Sequence, residues 1–189
     1  MSRPSTEKNA RYESLKKMIQ ENTFMTDEEL AEHFAVSVPT IRLDRGVLKI
    51  PELRKRVKDL AETNVKKVKS IIAVDIPGEL IALDLNQSGT LSFETNAKMA
   101  FTHSNVVKGQ YVYSMAESLA IAVIDAEVAL VGVANIKYVH PVMSGDRLVA
   151  QAQVKRIKGN SYIVWVLVYA NKKEVFRGKF ILVSIETKE

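Results

Sequence analysis

Residues 110–129 read Gln110-Tyr-Val-Tyr-Ser-Met-Ala-Glu-Ser-Leu-Ala-Ile-Ala-Val-Ile-Asp-Ala-Glu-Val-Ala129. Tyr111, Met115, Ala116, Leu119, Ala120, Ile121, Val123, Ile124 and Ala126 leave this stretch with almost no polar side. A helix apolar all round must be buried all round, so the segment predicts a long helix wrapped by other structure. Its surroundings supply the wrapping. Runs rich in β-branched residues at 71–76, 80–84, 131–138, 148–157, 162–170 and 174–184 read as strands. Pro77-Gly78, residues 86–89, Ser144-Gly145-Asp146, Gly159-Asn160 and Asn171-Lys172 separate them with turn chemistry. The last three runs, joined by short turns, form an antiparallel meander. One central helix held by an antiparallel sheet is the expected architecture of residues 70–189.

Before residue 70 the pattern changes to helical spacing. Tyr12, Leu15, Met18 and Ile19 mark a first helix over about 10–21. The stretch Thr26-Asp-Glu-Glu-Leu-Ala-Glu-His-Phe-Ala-Val-Ser-Val-Pro-Thr-Ile-Arg-Leu-Asp-Arg45 follows. Thr26 with Glu29 is a capping-box pattern, and three acids in the first turn suit the helix dipole. Ala35-Val36-Ser37 is a short turn, Ser37 an N-cap, and Pro39 falls in a first turn where proline is tolerated. Leu30, Ala31, Val36 and Ile41 would lock the two helices at a steep angle and expose the second to a DNA major groove. Ser37, Pro39, Thr40, Arg42 and Arg45 are the candidate DNA contacts on it. Asp44 sits poorly against DNA and is expected to face a neighbouring Arg or a helix end. His33 reads as a polar surface residue. A fourth helix over about 51–68 carries an Ile50, Leu53, Val57, Leu60 stripe with Arg54, Lys55, Arg56 and Lys58 on its other faces. Two readings of it stand: a solvated helix packed on the nearest domain, or a basic face (Arg54, Arg56, Lys58) that touches phosphate. The domains are accordingly 1–49, a linker helix at 50–69, and 70–189, an α+β chain.

Charge supports this division. The 189 residues carry a formal net charge of +5, yet 42–69 alone holds ten basic and four acidic residues, a local +6. The absence of cysteine excludes disulfides, thiolate metal sites and Cys nucleophiles. His33, His103 and His140 are far apart, so no metal and no cofactor is expected. No apolar run is long enough to span a membrane, and a cytoplasmic location is expected.

The 26–45 stretch resembles the helix-turn-helix of DeoR-like bacterial regulators, through its Leu-Ala-Glu, Val-Ser and Thr-Ile-Arg-x-Asp elements. The segment Asn135-Ile-Lys-Tyr-Val-His-Pro-Val-Met-Ser-Gly-Asp-Arg-Leu148 resembles the strand–turn–strand of hotdog thioesterases and dehydratases. Together, over about 11–185, these features resemble the FapR family, bacterial repressors of fatty-acid and phospholipid synthesis genes. The resemblance implies a homodimer on an inverted-repeat operator of double-stranded DNA, released when malonyl-CoA or a related malonyl thioester binds the hotdog domain. It places Phe101, Lys108, Gly109 and Leu130 along an acyl-pantetheine tunnel, with Lys108 neutralising the malonyl carboxylate. An Arg is expected there in the family, so Lys108 keeps the charge and loses the bidentate fork. The Ile50/Leu53/Val57/Leu60 stripe would be the element that the ligand biases. The rival implied by the fold is an acyl-CoA thioesterase with a DNA-binding head, and Glu117, nine residues beyond Lys108, is where its acid would stand. The usual His-Gly-Gly is here Lys108-Gly109-Gln110, so Glu117 reads as a structural hydrogen-bonder and the chain as a non-enzyme. A constitutive DNA-binding protein whose hotdog merely dimerises it is a third reading.

Overall fold

The computed structural model describes residues 4–70 and 75–185, and side chains from residue 8 onward. The chain divides into two compact units, residues 1–59 and 60–189. The division falls inside a helix, in the middle of the segment 50–69 read above as a separate linker.

Unit 1 holds α1 (Pro4–Glu21), α2 (Asp27–His33), α3 (Val38–Leu48) and the start of α4 (Leu53–Val65). Thr26 caps α2 with the full reciprocal box, its hydroxyl accepting from the Glu29 N–H while Glu29 accepts from the Thr26 N–H at 2.8 Å. Ser37 caps α3 by accepting from the Thr40 N–H. Both helices end alike. Ala35 (φ +51) and Lys49 (φ +55) take the left-handed conformation. Val36 and Ile50 then donate back to Ala31 and Arg45 carbonyls at 3.0 and 2.9 Å, closing the carbonyl-capping loop that favours a helix stop. The core is Leu15, Ile19, Leu30, Ala31 and Ile41, with Val36 and Ile50 packed on it.

Unit 2 is one antiparallel sheet, order β1-β2-β4-β5-β6-β3, around α5 (Gly109–Ala122). The strands are β1 (Glu79–Asp84), β2 (Ser88–Glu94), β3 (Val128–Tyr138), β4 (Arg147–Lys158), β5 (Ser161–Ala170) and β6 (Lys173–Ile185). Met115, Ala116, Leu119 and Ala120 of α5 are fully buried against Leu148, Val164, Val166, Phe176 and Phe180 of the sheet. The hotdog architecture expected for this half is therefore present. Among the described residues, no helix is long and apolar enough to cross a membrane.

Three details differ from the sequence reading. The central helix stops at Ala122, not at 129, because Asn86 intervenes: its N–H donates to the Val123 carbonyl (2.8 Å) and its side-chain oxygen accepts from the Asp125 N–H (3.0 Å). Val123 and Ile124 stay buried beyond the helix end. Strand β2 was not expected, since Ser88, Gly89 and Ser92 have weak strand character. It forms because β1 and β4 pair with it on both sides, and context outweighs propensity in an internal strand. Of the strand expected at 71–76, residues 71–74 lie outside the described residues, and 75–76 are not in a strand.

Candidate functional site

The helix-turn-helix presents one open face. On α3, Pro39, Arg42, Leu43, Gly46 and Val47 are exposed while Ile41, Asp44 and Arg45 are buried, the division that 3.6 residues per turn demands. Ser37 and Thr40 stand at the N-terminal end of this face with their hydroxyls 2.9 Å apart. Asp44 is turned inward, as anticipated, accepting from Arg11 Nε at 2.8 Å. That hydrogen bond, with the Asp44 charge, raises the Arg11 pKa above its ordinary value despite some burial. Arg54 and Lys58 are exposed on α4.

Two expected DNA contacts are committed elsewhere. The Arg45 side chain is only 10% exposed and grips Asp27 bidentately, Nε to Oδ1 at 2.7 Å and Nη2 to Oδ2 at 2.8 Å. Its remaining nitrogen donates to the Ile50 carbonyl at 3.1 Å. Burial pushes the Asp27 carboxyl up, but Arg45, followed by Arg42, more than reverses this and holds it below the ordinary carboxylate value. Arg56 is buried and donates to the carbonyls of Thr23, Met25 and Pro51. It ties the start of α4 to the α1–α2 loop, and its pKa is lowered by burial and then by Arg45. Both corrections have one cause. Arg45 lies four residues after Ile41 and three before Leu48; Arg56 lies three after Leu53 and four before Leu60. Each sits on the inward side of its helix, where a guanidinium finds carbonyls and a carboxylate rather than phosphate. Arg42 differs: its side chain is 63% exposed and only Nε reaches Asp27, at 3.3 Å.

In unit 2, a cavity of about 510 Å³ opens beside the start of α5. Val107 and Gly109 line it from the helix side; Tyr138, Val139, His140 and Pro141 line it from the end of β3. Three hydrogen bonds fix this junction. Lys108 N–H donates to Met99 (3.0 Å), Val107 N–H to Val142 (2.8 Å), and the Tyr138 hydroxyl to the Gly109 carbonyl (3.1 Å). A Cβ on Gly109 would lie 3.0 Å from the Tyr138 ring, so any larger residue there would have to push the ring aside by a few tenths of an ångström. Lys108 is the N-cap of α5 without any side-chain bond to the helix. Among the described residues its ammonium is paired with no carboxylate. The positive end of the α5 dipole thus opens at Gly109 onto the cavity, with the cationic Lys108 next in the chain, an arrangement suited to a carboxylate or polarised carbonyl.

Of the four expected ligand residues, the cavity gathers Gly109, with Lys108 flanking it. Phe101 stands on the same hairpin, its N–H donating to Val106, but is 55% exposed and outside the lining. Leu130 is 54% exposed on β3, eight residues from Tyr138 and so roughly 26 Å along the strand. The back wall, Tyr138 to Pro141, was missed as lining, although it lies within the quoted 135–148 segment. His140 is on the exposed rim, and the hydroxyl of Tyr138 is pushed up in pKa by burial. Glu117 is half-buried and accepts from the Tyr113 hydroxyl at 3.1 Å. Burial first, then the Glu117 charge, raises the Tyr113 pKa, which keeps that hydroxyl a donor.

The comparisons agree with these two parts. A DeoR-like helix-turn-helix domain model matches residues 11–62, and a thioesterase superfamily model matches 110–176. The chain is similar to transcription factor FapR of Caldanaerobacter subterraneus subsp. tengcongensis, 57% identical over 91% of this chain and 86% of that protein. It is 37% identical to transcription factor FapR of Halalkalibacterium halodurans, over 93% of this chain and 94% of that one. Among solved structures, an uncharacterized protein of Pyrococcus horikoshii is 27% identical with a TM-score of 0.57, covering 59% of this chain and 85% of its own. A Streptococcus mutans protein described as bound to acetyl CoA shares the fold at 16% identity and TM-score 0.51, over 58% of this chain and 90% of its own. A helix-turn-helix followed by a hotdog sheet, in a chain sharing more than half its residues with such a relative over nearly its whole length, leaves one assignment: the chain belongs to the FapR family of transcription factors.

Proposed function

We propose that this protein represses fatty-acid and phospholipid synthesis genes by binding an inverted-repeat operator as a homodimer, and that malonyl-CoA bound in the hotdog unit releases it. The observation that carries the sensor half is the N-terminus of α5, which opens at Gly109 onto the 510 Å³ cavity and has Lys108, without a carboxylate partner among the described residues, as its N-cap. A malonyl thioester carries what that rim lacks, a carboxylate, at the far end of a chain that a cavity lined by Val107, Val139 and Pro141 can hold.

The dimeric part of this reading is supported by β3. It is the last strand of the sheet, and Leu130, Val133, Ile136 and Tyr138 on it are exposed. A long apolar edge strand is a template for pairing with a second copy. Antiparallel pairing about the middle of β3 would set the second copy's Leu130 within a residue or two of Tyr138, which accounts for a ligand-site residue that one chain alone leaves roughly 26 Å away.

Calorimetry with malonyl-CoA, acetyl-CoA and free CoA tests the sensor. Selective binding of malonyl-CoA is expected, and Lys108→Ala should weaken it about 10- to 100-fold, the usual worth of one charge-assisted contact, while leaving acetyl-CoA binding as it was. Equal affinity for all three compounds would remove the carboxylate reading. Hydrolysis of malonyl-CoA that disappears in Glu117→Gln would make the unit an enzyme instead; the Tyr113–Glu117 bond supports a structural role for that carboxylate.

A further inference from the structure

The open face of α3 is not simply polar. Leu43 is 72% exposed and Val47 65%, more than any other large hydrophobic residue among those described. They lie four residues apart, hence on one side of the helix. A Cβ added at Gly46, between them, would meet nothing within 4 Å, so no packing inside the protein requires a bare backbone there. The acid on α3 itself, Asp44, and the acid that α3 reaches on α2, Asp27, are neutralised by Arg11 and Arg45. What remains outward is apolar carbon flanked by cationic Arg42 and by the Ser37 and Thr40 hydroxyls. This combination suits a surface that is negatively charged at its margins and carries methyl groups in its floor.

We propose that Leu43 and Val47 read the 5-methyl groups of thymines in the major groove, and that this pair supplies the apolar part of operator selectivity. The proposal rests on the DNA-binding role of the helix-turn-helix. Thymine alone offers a methyl in the major groove, and apolar side chains are the groups that recognise it. Leu43 and Val47 are about 6 Å apart along the helix axis, close to two base-pair steps of about 3.4 Å, so two thymines within three adjacent base pairs fit both. Gly46 lets the backbone between them approach the groove floor. Arg42, with its terminal nitrogens outside the Asp27 contact, would meet a base edge or phosphate beside them.

The test separates this idea from DNA binding itself. The full-length protein is first used to select duplexes from a random library. Each thymine of the selected site is then replaced singly by deoxyuridine, which removes the methyl and keeps every base-edge hydrogen bond. Wild-type protein should lose about fourfold in affinity at one or two positions, the worth of one buried methyl. Leu43→Ala and Val47→Ala should each bind the thymine and uracil duplexes equally at one of those positions, with the salt dependence of binding unchanged because no phosphate contact is lost. Both residues are largely exposed, so the variants should melt like the wild type. A selected site insensitive to every deoxyuridine replacement, or alanine variants that keep the wild-type sensitivity, would overturn the methyl reading and leave DNA binding intact. A change in oligomeric state on Leu43→Ser would overturn it too, by assigning the face to a second copy. A library from which nothing is enriched would remove both readings.

Discussion

Arg45→Ala is expected to destabilise unit 1 by about 3 kcal/mol and to weaken operator binding by that route, not by loss of a DNA contact. The wild-type guanidinium is 10% exposed and makes two bonds to Asp27 and one to the Ile50 carbonyl. Removing it leaves a carboxylate, itself only 15% exposed, without its main partner, which is the costly way to break an inward-facing ion pair. Against a total of about 5–15 kcal/mol for a domain, that is a large fraction. Lysine should not restore it, having no fork for a bidentate grip. The same pair gives unit 1 a pH dependence. Arg45 and Arg42 hold the Asp27 carboxyl below its ordinary value, so the folded state binds fewer protons than the unfolded one. The pair's contribution is complete above about pH 4 and is lost as pH falls through the depressed folded value. Urea unfolding of Arg45→Ala followed by circular dichroism, with Asp27→Asn measured from pH 7 to pH 3, checks both statements. Asp27→Asn should lack the acid slope. An Arg45→Ala protein as stable as the wild type yet unable to bind DNA would return Arg45 to the DNA surface.

Gly78→Ala should be at least as damaging to unit 2, costing about 3 kcal/mol or more. Gly78 has φ +94, and an added Cβ would lie 2.1 Å from the Ser92 carbonyl oxygen and 3.1 Å from the Phe93 Cα. Both obstacles are backbone of β2, which is held between β1 and β4 and cannot step aside. Gly145 provides the control, since it has nearly the same φ, +93, and nothing within 4 Å of an added Cβ. Gly145→Ala should cost only the left-handed strain, about 1 kcal/mol. The difference between the two melting temperatures therefore isolates the collision. Equal losses would show that β1 and β2 can separate at Gly78 without consequence.

The two variants also mark where sequence was readable. The capping box at Thr26, the Ser37 cap and the inward turn of Asp44 followed from spacing, because local chemistry and core packing make the same demand there. Arg45 and Arg56 were misassigned because charge was read as exposure, although their distance from Ile41, Leu48, Leu53 and Leu60 already placed them on the inward side. Strand β2 was hidden by its serines and glycine, and only its neighbours reveal it. For the ligand site, Phe101, Lys108, Gly109 and Leu130 came from the family resemblance and not from spacing, and of the four Gly109 lines the cavity. The opposing wall at Tyr138 to Pro141 comes from chain thirty residues later, and which part of a strand's end meets a helix start is set by sheet register, which spacing alone does not fix.

One side chain at the far side of the sheet has a bearing on how many copies can join. Asn64, 4% exposed, donates its amide to the carbonyls of Leu80 and Ile81. Those carbonyls belong to β1, which is the terminal strand opposite β3. A sheet with two receptive ends can lengthen without limit, each added molecule offering a fresh end to the next. With two carbonyls of β1 already engaged from within, that end is the less receptive one, and two molecules joined at β3 as proposed would use up both receptive ends at once. Growth would then have nowhere to continue, and the same amide that anchors a helix would make association along the sheet finite.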